Sequence, residues 1–202
     1  MELYFHYCSF GFSNCYVLGE GEHSDAIIVD PGVMDNQLLE FIEKNDFNLK
    51  AVLITHDHLG HVHGLRTLRR IYQTEVFAIN RLVHDSETTI VKDGDKINIG
   101  PFAVEVISIP GHSSDSVVYL TGGLLFTGDV LTAGMVGTTV SAYGAATQMN
   151  KMRSRLLSLP GDYTVLPGHG PPSSLEAERR FNVGITRYEE QIIRRSAFRL
   201  NS

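Results

Sequence analysis

The sequence predicts an α+β fold, an αββα sandwich in which two sheets face each other and helices cover the outer faces. Three observations carry this expectation. Apolar runs of strand length alternate with segments of helical periodicity, and the order recurs in both halves of the chain. No low-complexity linker separates the halves. Four of the apolar runs stop at a His or Asp with a Gly nearby, so several strands end in the same kind of place.

The elements follow in order. Residues 3–8 and 14–18 read as short strands around the turn Gly11-Phe12-Ser13, and Ala26-Ile27-Ile28-Val29 as a third strand closed by Asp30-Pro31-Gly32. Leu38, Leu39 and Ile42 recur at helical spacing behind Asp35, a suitable N-cap, which predicts a helix to about Lys44. Ala51-Val52-Leu53-Ile54 reads as a buried strand. Leu65, Leu68 and Ile71 mark one face of a helix, and Glu75 to Ile79 a further strand. In the second half a strand runs from Phe102 to Ile109 and breaks at Pro110-Gly111-His112. Residues 117–120 and 124–127 form a hairpin through Thr121-Gly122-Gly123, ending at Gly128-Asp129. A Gly- and Thr-rich loop over 132–145 precedes a helix expected from Met149 to Leu159. Tyr163 to Leu166 is the last strand, ending at Pro167-Gly168-His169-Gly170, and Glu176 to about Arg199 reads as a helix with a basic end.

The chain of 202 residues is expected to form one domain, 1–202, with 175–202 a C-terminal helical segment. Apolar residues at 43% and charged residues at 20% suit a globular protein with a sizeable core. A net charge of −6 without a basic block argues against a nucleic-acid partner. The longest apolar runs fall short of the roughly 18 residues of a membrane span. Met1-Glu2-Leu3-Tyr4-Phe5 lacks the basic start and apolar core of a signal peptide, so the expected location is cytoplasmic. Cys8 and Cys15 are then expected to be free, buried thiols. Ile185, Tyr188, Ile192 and Ile193 could pack the last helix on its own domain or on a second copy in a homodimer. Arg179, Arg180, Arg194, Arg195 and Arg199 give it a basic face, read as solvated.

The chemistry concentrates in Thr55-His56-Asp57-His58-Leu59-Gly60-His61-Val62-His63, which holds four of the nine histidines directly after a buried strand. Imidazole is the commonest protein metal ligand, and on an extended segment residues two apart share a face, so His56 and His58 can grip one ion. His112, Asp129 and His169 stand at three other strand ends. One such residue is usually structural, but four in register are what a metal site requires. Asp57 reads either as a partner of a ligand or as an exposed loop acid. His6, His23 and His84 read as ordinary.

The order His-x-His, Gly-His, Gly-Asp, Gly-His resembles the metallo-β-lactamase superfamily, and most nearly its short glyoxalase II-like hydrolases. Asn14-Cys15-Tyr16-Val17, Asp30-Pro31-Gly32, Phe126-Thr127-Gly128-Asp129, Pro167-Gly168-His169-Gly170-Pro171 and Glu178-Arg179-Arg180-x-Asn182 carry the likeness across nearly the whole chain. The resemblance implies two mixed sheets and two adjacent zinc or iron ions. His56, His58 and His112 would hold the first ion, and Asp129, the candidate catalytic residue, would bridge to a second held by His61 and His169. The family pattern His-x-His-x-Asp-His places one more carboxylate directly before the histidine matching His61; here Gly60 stands there. Losing that charge leaves a second dication, about 3.5–4 Å from the first in such sites, poorly compensated. One ion is therefore expected at His56, His58, His112 and Asp129, and the second site is expected to be weak or empty. His63 is read as an imidazole outside the ligand set.

The implied activity is hydrolysis of a thioester or other ester-type small molecule. The Arg-Asp-Phe run that short glyoxalase II-like members carry after a Gly is absent: Thr138-Thr139-Val140 follows Gly137, so no Arg is at hand there for an anionic thioester. The alternatives are a mononuclear iron protein, persulfide dioxygenase-like or oxygen-binding, and a non-catalytic metal binder.

Overall fold

The computed structural model describes residues 1–21, 24–188 and 190. His23, Ile192, Ile193, Arg194, Arg195 and Arg199 lie outside the described residues.

The first half builds a six-stranded mixed sheet. β1 (Glu2–Tyr7), β2 (Asn14–Gly19) and β3 (Asp25–Val29) pair antiparallel, and β4 (Asn48–Leu53) and β5 (Glu75–Ala78) continue parallel to β3. The connections are α1 (Asn36–Lys44), the single turn α2 (Leu59–Val62) and α3 (Leu65–Ile71). Asp35 caps α1 as expected, its Oδ1 accepting from the Leu38 amide at 3.0 Å. After the small hairpin β6 (Leu82–Val83) and β7 (Ser86–Glu87), β8 (Thr89–Ile90) closes the sheet edge beside β5.

The second sheet contains β9 (Lys96–Ile99), β10 (Phe102–Ser108), β11 (Val117–Thr121) and β12 (Leu124–Gly128). The ribbon β13 (Leu131–Thr132) and β14 (Met135–Val136) leads into α4 (Ala142–Lys151), continued by a π-helical turn over Met152–Leu156. β15 (Thr164–Pro167) pairs parallel to β12, β16 (Ser173–Ser174) lies on the edge, and α5 (Leu175–Phe181) follows.

Three apolar layers define the sandwich. Tyr16, Ile27, Leu53 and Phe77 of the first sheet meet Val104, Val106, Tyr119 and Phe126 of the second. Leu38, Ile42, Leu65 and Leu68 cover the outer face of the first sheet. Met149, Met152, Leu156, Leu175 and Ile185 cover that of the second. Both faces of both sheets are buried, which is why the central strands read as continuous apolar runs. The Tyr119 hydroxyl ties the sheets by donating to the carbonyls of Ile54 and Phe77 at 3.0 and 3.1 Å.

Three expectations need correction. The helix placed at 149–159 begins seven residues earlier, because Ser141 caps it by accepting from the Gly144 amide, inside a stretch without apolar periodicity. The C-terminal helix is interrupted at Asn182, whose Oδ1 accepts from the amides of Gly184 and Ile185 and starts a new helical run over 183–188. Arg179 does not belong to a solvated basic face: its guanidinium donates to the carbonyls of Leu157, Leu159 and Gly161, where the helix before them ends. Cys8 and Cys15 are free and buried, and Ile185 and Tyr188 pack on the domain's own core. No helix among the described residues is long and apolar enough to cross a membrane.

Candidate metal centre

β10 and β12 are both antiparallel to β11, and β15 is parallel to β12, so all three point the same way. β3 and β4 run parallel in the other sheet. The C-terminal ends of these five strands meet at one edge of the sandwich, and each is followed by a site residue: Asp30, His56, His112, Asp129 and His169.

The first cluster is tight. His58 Nδ1 lies 3.0 Å from His56 Nε2 and 3.1 Å from His112 Nε2. Asp129 Oδ2 stands 3.5 Å from His112 Nε2 and 3.8 Å from His56 Nε2. One ligand atom from each of these four residues falls within 4.8 Å of the others.

The surroundings set which ring nitrogens are free. His112 Nδ1 faces the Thr138 carbonyl at 2.9 Å, an acceptor only, so this nitrogen carries the proton and Nε2 keeps its lone pair. The Thr55 hydroxyl donates to Asp30 Oδ2 at 2.5 Å and is thereby an acceptor for His56 Nδ1 at 3.1 Å, which frees His56 Nε2 in the same way. Two lone pairs therefore converge on His58 Nδ1, and a single imidazole proton satisfies one of them at most. A cation among them satisfies all three, so the residues fit a metal ion. Burial, with His61 beside it, pushes His56 down to about 3, and burial with His112 close by lowers His58; both rings are neutral and able to ligate.

His61, Asp129 and His169 form a second group within 4.8 Å of one another. Gly168 is required here, since a Cβ would come within 2.5 Å of the His61 ring and 2.6 Å of Asp129 Oδ1. His61 Nδ1 meets Asp30 Oδ2 at 3.0 Å, while its buried Nε2, 3.6 Å from Asp129 Oδ2, has no hydrogen-bond partner. Burial opposes a charge on His61, but Asp129 and Asp30 on either side outweigh it and raise the ring to about 10. Asp129 is likewise raised by burial and lowered more strongly by His169 and His61, which hold it well below the usual carboxylate range.

His169 differs from the other rings. Its Nδ1 meets Asp129 Oδ1 at 2.7 Å and its Nε2 meets the Gly11 carbonyl at 3.0 Å, so both nitrogens face acceptors. The bond to Asp129 raises its pKa. Gly11 reaches this position by packing on Gly60: a Cβ at Gly11 would lie 2.6 Å from Gly60 Cα. The Ser13 hydroxyl donates to the Gly60 carbonyl at 2.6 Å and holds the loop down.

His63 stays outside both groups. It is exposed at the end of α2 and stacks on Phe10, ring centroids 4.2 Å apart. Asp57 is an exposed loop acid whose amide donates to Asp115 at 2.9 Å. His6 is a buried structural residue bonded to Asp35 at 3.1 Å. Sequence reasoning read Asp30 only as part of a turn and passed over Asp115, which accepts from Asp57 and Asn80. The signal for Asp30 was an acid directly after a buried strand. Its backbone adopts a left-handed φ of 49°, a conformation Asp tolerates better than most residues. Asn14 and Tyr16 also gain a role: their side chains donate to the Pro167 carbonyl, and Asn14 donates to that of Gly170, which clamps the turn that carries His169.

Comparison with known proteins agrees with this architecture. The model of the metallo-beta-lactamase superfamily matches residues 8–169, and the chain belongs to that superfamily. Hydroxyacylglutathione hydrolase GloC of Haemophilus influenzae is 28% identical, over 84% of this chain and 91% of that protein. The mitochondrial persulfide dioxygenase ETHE1 of Homo sapiens is 30% identical, over 89% of this chain and 74% of that protein. The crystal structure of ETHE1 from Myxococcus xanthus superposes with a TM-score of 0.81 at 28% identity, covering 91% of this chain and 84% of that one.

Proposed function

We propose that this protein is a metal-dependent hydrolase that holds one zinc or iron ion on His56, His58, His112 and Asp129 and cleaves a thioester or other ester-type small molecule. The observation that carries the reading is the convergence of His56 Nε2, His58 Nδ1 and His112 Nε2, two of them with their lone pairs set by outer partners, beside Asp129. An ion bound there would supply Lewis acidity, polarising an acyl oxygen and lowering the pKa of a water. The chain's own part is orientation: Thr55 and the Thr138 carbonyl aim two imidazoles inward, and His169 and His61 keep Asp129 ionised.

Two features support a weak second site. Gly60 supplies no carboxylate, and both nitrogens of His169 are engaged by Asp129 and the Gly11 carbonyl, leaving His61 Nε2 as the one imidazole nitrogen of that group without a hydrogen-bond partner. The test is elemental analysis of protein purified anaerobically without added metal, followed by assay against thioesters, lactones and phosphoesters. About one ion per chain and turnover of an ester-type substrate are expected. Two ions per chain would overturn the single-ion reading, and no turnover by metal-replete protein would overturn the hydrolase reading.

The likeness to the human persulfide dioxygenase ETHE1, and to the structure of ETHE1 from Myxococcus xanthus, favours a second reading, a mononuclear iron protein acting on oxygen and a sulfur substrate. One iron per chain with oxygen uptake on adding glutathione persulfide would establish it in place of hydrolysis.

A further inference from the structure

A cavity of about 260 Å³ opens beside His112, lined among others by Gly111, Val140, Tyr143 and Thr147. His112 is shared by the cavity and the metal centre, its Nε2 turned to His58 and Asp129. A group lying in the cavity is therefore one imidazole away from the converging nitrogens.

The lining presents mostly carbon surface, although the hydroxyl residues Ser113, Ser114, Ser141 and Thr147 also border it. Its residues include no Asp, Glu, Lys or Arg. In the adjoining groove beyond Tyr143 and Thr147, Lys151 and Arg155 are engaged by Asp93 at 3.9 and 2.9 Å. Val140 is 98% exposed and Tyr143 82% exposed, an arrangement that leaves apolar surface in water unless something covers it. Phe10, Phe12 and Leu59 are also exposed, on the loop that touches His169 and Gly60 and on the residue after His58.

We propose that this cavity binds the aliphatic acyl chain of the substrate, so that the site selects thioesters with apolar acyl groups over those with polar or hydroxylated ones. The proposal rests on the hydrolase reading. In the reaction, water oxygen forms a bond to the acyl carbon, the carbon–sulfur bond breaks, one water proton leaves with the thiol, and the product is a fatty acid. Val140 and Tyr143 are specificity-determining residues in this scheme and take no part in bond making.

The experiment has two arms. In the first, kcat/KM is measured for acetyl to octanoyl thioesters of N-acetylcysteamine, a neutral thiol, and for lactoylglutathione. The expected result is a rise of up to about fourfold per added methylene until the cavity is filled, with lactoylglutathione poorer than hexanoyl thioester. The variant V140R is expected to flatten the rise. In the second arm, calorimetry measures binding of a non-hydrolysable octyl thioether analogue to metal-free protein, expected to be at least tenfold weaker for V140R. Thioesters cleaved at rates independent of chain length would overturn the proposal and leave the hydrolase reading standing. Analogue binding that V140R weakens, with no thioester cleaved, would overturn the hydrolase reading and keep the apolar site. Neither cleavage nor binding would overturn both. Because Val140 is fully exposed, the variant is expected to keep the wild-type circular dichroism spectrum, which confirms that it folds.

Discussion

Asp30 Oδ2 accepts from the Thr55 hydroxyl at 2.5 Å and lies 3.0 Å from His61 Nδ1, so one buried carboxylate sets the orientation of two rings, His61 directly and His56 through Thr55. In D30N the amide NH₂ takes the place of one carboxylate oxygen. The Thr55 hydroxyl then accepts from the amide and donates to His56 Nδ1, which moves the His56 proton to Nε2 and removes a metal ligand. The expected outcome is about a 10- to 100-fold loss of metal affinity and a stability loss of about 1–3 kcal/mol. Calorimetric metal titration and urea unfolding of the metal-free variant check this, and unchanged affinity would show that Asp30 does not set the tautomer.

The histidines of the central stretch separate into two kinds. H56A is expected to reduce metal content well below that of the wild type, because His56 Nε2 lies at the heart of the first cluster. H63A is expected to leave metal content unchanged and to cost about 1 kcal/mol through its lost stacking on Phe10. Elemental analysis of the two purified variants is sufficient, and loss of metal in H63A would make His63 a ligand.

Gly60 has room for a side chain. A Cβ built there meets Gly11 Cα at 3.4 Å, an ordinary contact. G60D is therefore expected to fold and to raise the metal content from about one ion per chain toward two, by restoring a carboxylate beside His61. If G60D still takes up a single ion at saturating metal, the missing carboxylate is not what weakens the second site.

Glu178 connects the C-terminal helix to the site loop. Its buried carboxylate accepts from the Gly134 amide at 3.0 and 3.2 Å and from Asn182 Nδ2 at 2.6 Å, and Asn182 donates onward to the Met135 carbonyl at 2.9 Å. The same loop continues to Thr138, the partner of His112. E178A leaves the Gly134 amide without its partner, and a loss of about 2–3 kcal/mol is expected, seen as a Tm lower by roughly 5–10 °C. A thermal shift under about 2 °C would show that the loop holds itself in place.

Much of the frame was legible because burial writes itself into residue choice. Residues 51–54 and 117–127 are β-branched, aliphatic and aromatic runs cut by Gly, and no other element fits them. The start of α4 was not legible, since Ala142-Tyr143-Gly144-Ala145-Ala146 has no apolar period and its helicity depends on the cap at Ser141. The interruption at Asn182 was hidden for the same reason: a side chain bonding to its own backbone leaves no mark on hydrophobic spacing.

By itself the sequence determined the αββα order of elements and the residues at the strand ends, because strand periodicity and ligand chemistry are local properties of residue type. It also determined that the second ligand group has no carboxylate beyond the shared Asp129, since Gly60 can supply none. Only the tertiary structure decided which nitrogen each histidine turns inward. That choice rests on Asp30, Thr55, Thr138 and Gly11, which are distant in sequence or chemically unremarkable there, and which act through hydrogen bonds between segments that only the fold brings side by side: Asp30 with Thr55 at the ends of neighbouring strands, Thr138 with His112 across two loops of the second half, and Gly11 with His169 across the two halves.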